Sequence, residues 1–306
     1  MHAKNRFHDT LISVAIAVAV WLSIALHLQS ANGQDDLKEL VIERDSGMVE
    51  LKGRLVFVAT HSGHKELFTC KWDGSGVRKL TSDKSLNVSP SISVAGDKVV
   101  YTGYRSGYAD IYYLDLNSGG RRRIIKSPGT NSGATIAPDG RRMALTMSFV
   151  GNPEIFVSTV SGGGAKRLTK TPGVETSPTW APDGKFIAYS SDQGGNPLLY
   201  MVPAAGGAPR RIQTGYGHCT EPNWSPDGHR IVFNVRKGRS SKVAVYDFRT
   251  NRTRVLESGE DPCWGPDSRH VIYSTGKTLV ILNVDSGEKR TVVKGLGKVS
   301  EPSWSR

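Results

Sequence analysis

Three acidic residues recur at a fixed interval in the second half of the sequence, and each directly precedes a proline. Glu221, Asp261 and Glu301 are separated by 40 residues in both steps, and Glu260 and Glu175 lie close to equivalent positions. Carboxylates that a fold brings together attract a cation, so this set could bind a lysine or arginine of a partner protein, or a metal ion. The alternative is a local role, in which each side chain caps a turn or pairs with a neighbouring Arg or Lys.

A histidine and a cysteine directly before the first of these acids add a second type of chemistry. His218 and Cys219, together with Glu221 and Asp261, could form a metal or acid–base site of the kind that a lyase uses. No second segment of the sequence completes such a site. The motifs of other enzyme classes are also absent, since the sequence has no Gly-x-Ser-x-Gly elbow, no His-Glu-x-x-His motif and no Walker loop. We therefore expect a binding protein rather than an enzyme, with no cofactor other than a cation at the acidic residues.

A repeat of 40 to 44 residues determines where these side chains lie. Its clearest copies are the segments 177–184 and 221–228, which share the pattern Pro-x-Trp-x-Pro-Asp-Gly. Within each period, turn residues separate four short runs of alternating hydrophobicity, which is typical of four antiparallel strands. A fixed period of this size indicates a propeller or a solenoid. The anchor residues of the repeat, separated by 44, 44, 44, 40 and 40 residues, are Ile92, Ile136, Trp180, Trp224, Trp264 and Trp304.

The two ends of the repeat array predict that it closes into a ring. The first repeat lacks a strand of the Pro-x-Trp type, whereas the chain finishes with such a strand at 301–305 and no blade of its own. A propeller closes when one terminus completes the blade that the other begins, which removes exposed sheet edges. The sequence therefore predicts an all-β fold over 53–306: a six-bladed β-propeller of four-stranded blades, in which the C-terminal strand completes blade one.

This topology places the acidic residues at one end of the central channel. The first strand of a blade is innermost, so the residues that begin it ring the upper mouth of the channel, and three acids fall in three neighbouring blades. The loops on this upper face vary in sequence, whereas the lower face consists of tight turns. Aromatic residues and Arg are enriched in the centres of protein interfaces, so Arg105, Tyr108 and Phe149 in these loops are candidate contacts together with the acids and His218.

The N-terminal segment has the pattern of a secretory signal. Basic residues precede an apolar run at 11–28, and small residues end it near 33, so residues 1–33 are interpreted as a signal peptide and 34–52 as a lead-in segment. An uncleaved membrane anchor is the alternative, and only then would the protein contact a membrane. We expect a periplasmic or otherwise exported protein. The three cysteines are an odd number, and spacing leaves open whether Cys219 pairs with Cys263.

The charge balance indicates anionic partners outside the cell interior. The chain carries 40 Lys and Arg against 28 Asp and Glu, a formal net charge of +12. In an exported protein this balance favours acidic proteins or envelope polymers, and no nucleic-acid-binding motif is present, so we expect no nucleic acid partner. The run Arg121-Arg122-Arg123 makes binding of an acidic polysaccharide a further alternative.

The repeat resembles the propeller repeat of the TolB family. The resemblance is carried by the frame Pro-x-Trp-Ser-Pro-Asp-Gly-x-x-Ile-x-Phe at 222–233 and by the Arg-x-Leu-Thr ending of the first blade at 78–81. It implies an envelope propeller that binds another protein, as the TolB propeller binds the lipoprotein Pal, so we expect a monomer with an envelope protein or lipoprotein as its partner. The α/β domain that precedes the propeller in TolB has no counterpart here, and similar blades occur in propeller lyases and hydrolases, which keeps an enzymatic function as the alternative.

Overall fold

The computed structural model describes residues 51–305, which form one unit whose regular structure is entirely β. This part of the chain therefore contains no helix of the length and apolarity needed to cross a bilayer. The predicted signal segment at 1–33 and most of the lead-in at 34–52 lie outside the described residues.

Six four-stranded antiparallel sheets follow one another along the chain as blades I to VI. Blade I contains β1 (Arg54–His61), β2 (His64–Lys71) and β3 (Arg78–Lys79). Blade II contains β4 (Asn87–Ile92), β5 (Lys98–Gly103), β6 (Asp110–Asp115) and β7 (Arg121–Ile125). Blade III contains β8 (Asn131–Ile136), β9 (Arg142–Met147), β10 (Glu154–Thr159) and β11 (Lys166–Arg167).

The second half of the chain continues the same order and then returns to the first sheet. Blade IV contains β12 (Glu175–Trp180), β13 (Phe186–Ser191), β14 (Leu198–Pro203) and β15 (Arg210–Arg211). Blade V contains β16 (Cys219–Trp224), β17 (Arg230–Lys237), β18 (Ser240–Asp247) and β19 (Arg252–Ser258). Blade VI contains β20 (Glu260–Trp264), β21 (His270–Ser274), β22 (Leu279–Asn283) and β23 (Lys289–Val293). The last strand, β24 (Val299–Trp304), belongs to blade I.

The C-terminal strand closes the ring, as the sequence predicts. β24 pairs antiparallel with β1, with Leu55 opposite Trp304. The backbone N–H of Arg54 donates to Oγ of Ser305 over 2.8 Å, and Nε1 of Trp304 donates to the carbonyl of Lys52 over 2.9 Å. The order of strands in blade I, β24-β1-β2-β3, confirms the six-bladed propeller.

Apolar side chains fill the junctions between neighbouring blades. Val56 and Leu67 of blade I pack in one cluster with Val99 and Tyr101 of blade II, because each sheet presents apolar residues on both faces. Each such side chain contributes about 1.5–3 kcal/mol when it leaves water. The tryptophans at the anchor position are between 3% and 7% exposed, so they are part of this packing.

Every innermost strand has a bulge near its start, a feature that the repeat pattern does not predict. The register of β16 shifts between Thr220 and Asn223, for example, and equivalent shifts occur in the other five blades. The bulged residue adopts a left-handed backbone conformation that costs a non-glycine residue about 1 kcal/mol or more. The six residues, with φ between 50° and 60°, are Ser89, Gly133, Ser177, Glu221, Asp261 and Glu301.

Candidate functional site

A cavity of about 500 Å³ lies at the mouth of the channel, where the six innermost strands begin. The same three positions of each blade line it, and Lys65, Leu86 and Val88 add to the wall. The lining triplets are 89–91, 133–135, 177–179, 221–223, 261–263 and 301–303. The structure thus brings together the three acids that the sequence places in neighbouring blades, and the bulged residues form their rim.

The three carboxylates are linked in one direction around this rim. The backbone N–H of Asp261 donates to the carboxylate of Glu221, and the N–H of Glu301 donates to Oδ2 of Asp261 over 2.8 Å. The N–H of Ser89 donates to Oε2 of Glu301 over 2.5 Å. Each acid therefore accepts from the bulged residue of the next blade, so each carboxylate has a structural role that joins two blades. We call Glu221, Asp261 and Glu301 the acidic sector.

Burial and mutual repulsion make full ionisation of the acidic sector unfavourable. Loss of water around Glu221 and the neighbouring charge of Asp261 raise the pKa of Glu221 to about 8. Burial also raises the pKa of Glu301, against the opposing effect of Lys65, whose Nζ lies 3.8 Å from Oε1 of Glu301. The sector therefore favours a bound proton or an incoming cation over three free carboxylates.

A second ring of polar side chains forms the floor of the cavity. Oδ1 of Asn223 accepts the backbone N–H of Trp264 over 2.9 Å, and Oγ of Ser303 accepts that of Ile92 over 3.1 Å. Each bond crosses from one blade to the next. These groups were not identified from the sequence, although a Ser, Thr, Asn or Cys directly before every anchor residue is the signal that could have found them.

The candidate contacts in the upper loops lie on the other half of the ring from the acidic sector. Tyr108 is 71% exposed, and Phe149 is 45% exposed and lies 5.3 Å from the ring of Phe156. Nε of Arg105 is 3.4 Å from Oδ2 of Asp83. The loops and connections of blades II to IV also expose a set of apolar side chains that we call, together with Tyr108 and Phe149, the apolar sector: Leu86, Tyr104, Val150 and Val174.

The structure does not bring the remaining candidates to the cavity. Glu260 is exposed at the start of β20 and does not line it. Glu175 is fully buried between blades, so it cannot contact a partner in this structure. His218 is half-buried outside the cavity, and Cys219 is fully buried, with Sγ 3.2 Å from Oγ1 of Thr214.

The cysteines of residues 51–305 are reduced and buried. None of them forms a disulfide, so Cys219 and Cys263 remain thiols in separate core clusters. This part of the chain also contains no group of three or more His, Cys, Asp or Glu arranged to hold a metal ion.

A closed ring of six four-stranded blades around a lined channel defines a six-bladed β-propeller. The family model for the TolB beta propeller domain matches residues 47–306. The chain therefore belongs to the TolB β-propeller domain family, which confirms the resemblance seen in the repeat.

Known proteins resemble this chain over different lengths. A TolB homolog from Chlorobaculum tepidum is 38% identical over 48 residues, which is 16% of this chain and only 11% of that relative. The crystal structure of TolB from Acinetobacter baumannii matches with a TM-score of 0.76 and 28% identity, covering 83% of this chain and 66% of that one. A putative TolB from Agrobacterium tumefaciens matches with a TM-score of 0.65 over 81% of this chain and 91% of that one, and its 18% identity indicates the shared fold alone.

Proposed function

We propose that this protein is an exported cell-envelope scaffold that binds another protein with its upper face and channel mouth. The observation that carries the proposal is the division of that face into two halves of different chemistry. The acidic sector occupies the rim in blades V, VI and I, and the apolar sector occupies the loops of blades II to IV. Membership of the TolB propeller family supports a binding scaffold, and the apolar run at 11–28 supports export.

The acidic sector defines one part of the partner. A lysine or arginine that enters the cavity would lie against Glu221, Asp261 and Glu301, and it would replace the proton that Glu221 holds near neutral pH. Nζ of Lys65 lies 3.8 Å from Oε1 of Glu301, which supports an ammonium group as the kind of cation that fits this rim. The bound cation is thus a side chain of the partner.

The apolar sector defines the other part of the partner. Tyr108 and Phe149 are large, exposed and carried by a rigid scaffold, so an apolar segment of the partner can cover them at little entropic cost. The partner therefore carries a cationic residue beside an apolar patch. A lipoprotein of the envelope is the partner class that we propose, with the propeller itself monomeric.

The basic run that suggested polysaccharide binding is largely occupied by internal contacts. Nη1 of Arg121 lies 2.8 Å from Oδ2 of Asp83, and Nε of Arg123 lies 3.0 Å from Oδ2 of Asp110. The guanidinium of Arg122 lies 4.9 Å from the ring centre of Tyr113. Two of the three guanidinium groups are thus paired with carboxylates, which weakens the case for an acidic polymer, and protein binding is the better supported function.

Site-specific cross-linking in native envelopes tests the proposal. A photo-reactive residue at Ser177 on the rim should trap a specific partner, whereas the same residue at Asp183 in a lower turn should not. The trapped protein, once purified, should bind the double variant Glu221→Gln with Asp261→Asn at least about tenfold more weakly than the wild type. Trapping only from Asp183, or equal affinity of the double variant, would refute the proposed binding face.

A further inference from the structure

Two carboxyl groups lie entirely out of contact with water at the junction between blades III and IV. Glu154 and Glu175 are both 0% exposed. The carboxylate of Glu154 is well satisfied: Oε2 accepts the hydroxyl of Thr169 over 2.6 Å, and Oε1 accepts the N–H of Thr171 over 3.0 Å and lies 2.5 Å from Nη2 of Arg167. Glu154 is therefore a stable carboxylate.

Glu175 differs from Glu154 because one of its oxygens has no donor. Oε1 accepts the hydroxyls of Thr171 over 2.6 Å and of Ser191 over 2.7 Å. Oε2 is buried and receives no hydrogen bond from the described residues. A buried ionised oxygen without a donor is strongly disfavoured, whereas a protonated oxygen can itself donate.

The junction between blades I and II contains the same arrangement with one informative difference. Glu66, Thr81 and Asn87 lie 88 residues, or two repeats, before Glu154, Thr169 and Glu175. In that junction Nδ2 of Asn87 donates to Oε2 of Glu66 over 3.1 Å. The position that Glu175 occupies is thus one from which a neutral donor reaches the neighbouring glutamate.

We propose that Glu175 is protonated in the native protein and that its Oε2–H donates to the carboxylate of Glu154, so that the two residues form a proton-binding site that joins blades III and IV. The proton performs the role that the amide group of Asn87 performs between blades I and II. It also satisfies the oxygen of Glu175 that otherwise lacks a partner.

The charges that face this pair agree with a single bound proton. Among the described residues, Arg167 is the one cation bonded to the pair, and it lies against Glu154. Burial raises the pKa of Glu175 to about 7, and the adjacent Glu154 adds to this effect. Hydrogen bonds to Glu154 lower its pKa in spite of burial. The Tyr189 hydroxyl completes the surroundings, and its pKa is raised by burial and by both glutamates, so it stays neutral.

This proton site also anchors a segment of the upper face. Residues 169–175 connect blade III to blade IV, and both Thr169 and Thr171 bond to the pair. The same segment exposes Val174, a member of the apolar sector, and the N–H of Val174 donates to Oδ1 of Asp192 over 2.7 Å. Loss of the proton leaves two adjacent buried negative charges against one Arg167, which weakens this junction and the surface it carries.

The variant Glu175→Gln tests the proposal, because glutamine is a permanently neutral donor of the same size. A raised carboxyl pKa means that the native state holds a proton that the unfolded state releases, so stability falls as pH rises from 4.5 to about 7. The folding equilibrium constant of the wild type should fall on the order of 100-fold more than that of Glu175→Gln over this range. Glu221 and Glu301 contribute the same sign in both proteins, so the difference isolates Glu175.

Two further measurements make the result specific. The infrared carbonyl band of a protonated carboxyl at about pH 6 should lose intensity in Glu175→Gln. It should be retained in Glu257→Gln, which removes a partly exposed carboxyl that is paired with Lys289. The converse change Asn87→Glu should create a second pair between blades I and II and steepen the fall of stability with pH. An unchanged pH dependence in Glu175→Gln, or a Glu175 carboxyl that titrates below about pH 5, would overturn the proposal.

Discussion

The backbone N–H of Ser89 donates a 2.5 Å hydrogen bond to Oε2 of Glu301, although the two residues lie 212 positions apart in the sequence. Ser89 belongs to blade II and Glu301 to the strand that completes blade I. The same carboxylate that lines the mouth cavity therefore also fastens the closing strand to the next blade. Ring closure and the chemistry of the mouth are properties of one group of residues.

Ring closure should depend strongly on the last anchor residue. Trp304 is 6% exposed and packs with side chains of blades I and VI. Trp304→Ala should lower the free energy of unfolding by about 3–5 kcal/mol, because it removes a large buried side chain from the closing junction. Urea unfolding measures this loss. Trp72→Ala, at a half-buried tryptophan of blade I, serves as the control and should lower the free energy of unfolding clearly less. Equal losses in the two variants would contradict a strong dependence of ring closure on Trp304.

Binding of a cationic partner should strengthen as pH rises through the pKa of Glu221. Glu221 is largely protonated at neutral pH, because burial and Asp261 raise its pKa to about 8. Affinity for the partner, measured by calorimetry, should therefore increase by severalfold between about pH 6.5 and 8.5. The unfolding free energy should change in the opposite direction over the same range. Glu221→Gln should abolish the rise in affinity, and an affinity that falls with pH would argue against a cationic contact.

The apolar sector should affect binding and leave stability almost unchanged. Tyr108 is 71% exposed, so Tyr108→Ala should alter the unfolding free energy by no more than about 0.5 kcal/mol. Its affinity for the partner should fall by about tenfold, because exposed aromatic residues often carry much of the binding energy. Val77→Ser changes a 44% exposed residue in a lower turn and provides the matched control. Equal affinities of the two variants would place the interface elsewhere.

The floor of the cavity should be a structural ring. Asn223→Ala leaves the buried N–H of Trp264 without its acceptor across the junction of blades V and VI. We expect a loss of about 1–3 kcal/mol in unfolding free energy, measured by denaturant titration. Ser286→Ala, which removes a hydroxyl from an exposed turn, should cost much less. A negligible effect of Asn223→Ala would mean that water replaces the lost acceptor.

The sequence is sufficient to predict the closed ring, but it does not show how deeply each candidate residue is buried. The anchor spacing and the unpaired last strand define six blades, because both depend on local patterns that recur. The sequence places Glu175 near the mouth acids, because it lies two residues before Ser177. It occupies the first position of an innermost strand, and that position faces the blade junction: Asn87, Asn131 and Cys219 are equivalent and equally buried.

The bulges could not be predicted from the residues that form them. Their left-handed conformation is stabilised by hydrogen bonds that arrive from another blade, such as that between Glu301 and Asp261. Those partners are 40 residues apart and meet only when neighbouring blades pack together. For the same reason, the contribution of Lys65 to the mouth depends on the position of blade I beside Glu301, which no local pattern encodes.

The one-way order of carboxylate contacts at the rim also has a consequence for orientation. Six nearly identical repeats would present a ligand with six interchangeable rotational settings about the channel axis. Acids on three consecutive blades, and serine or glycine on the other three, break this pseudo-symmetry. A ligand with one charged side and one apolar side should consequently have a single preferred orientation about the channel axis.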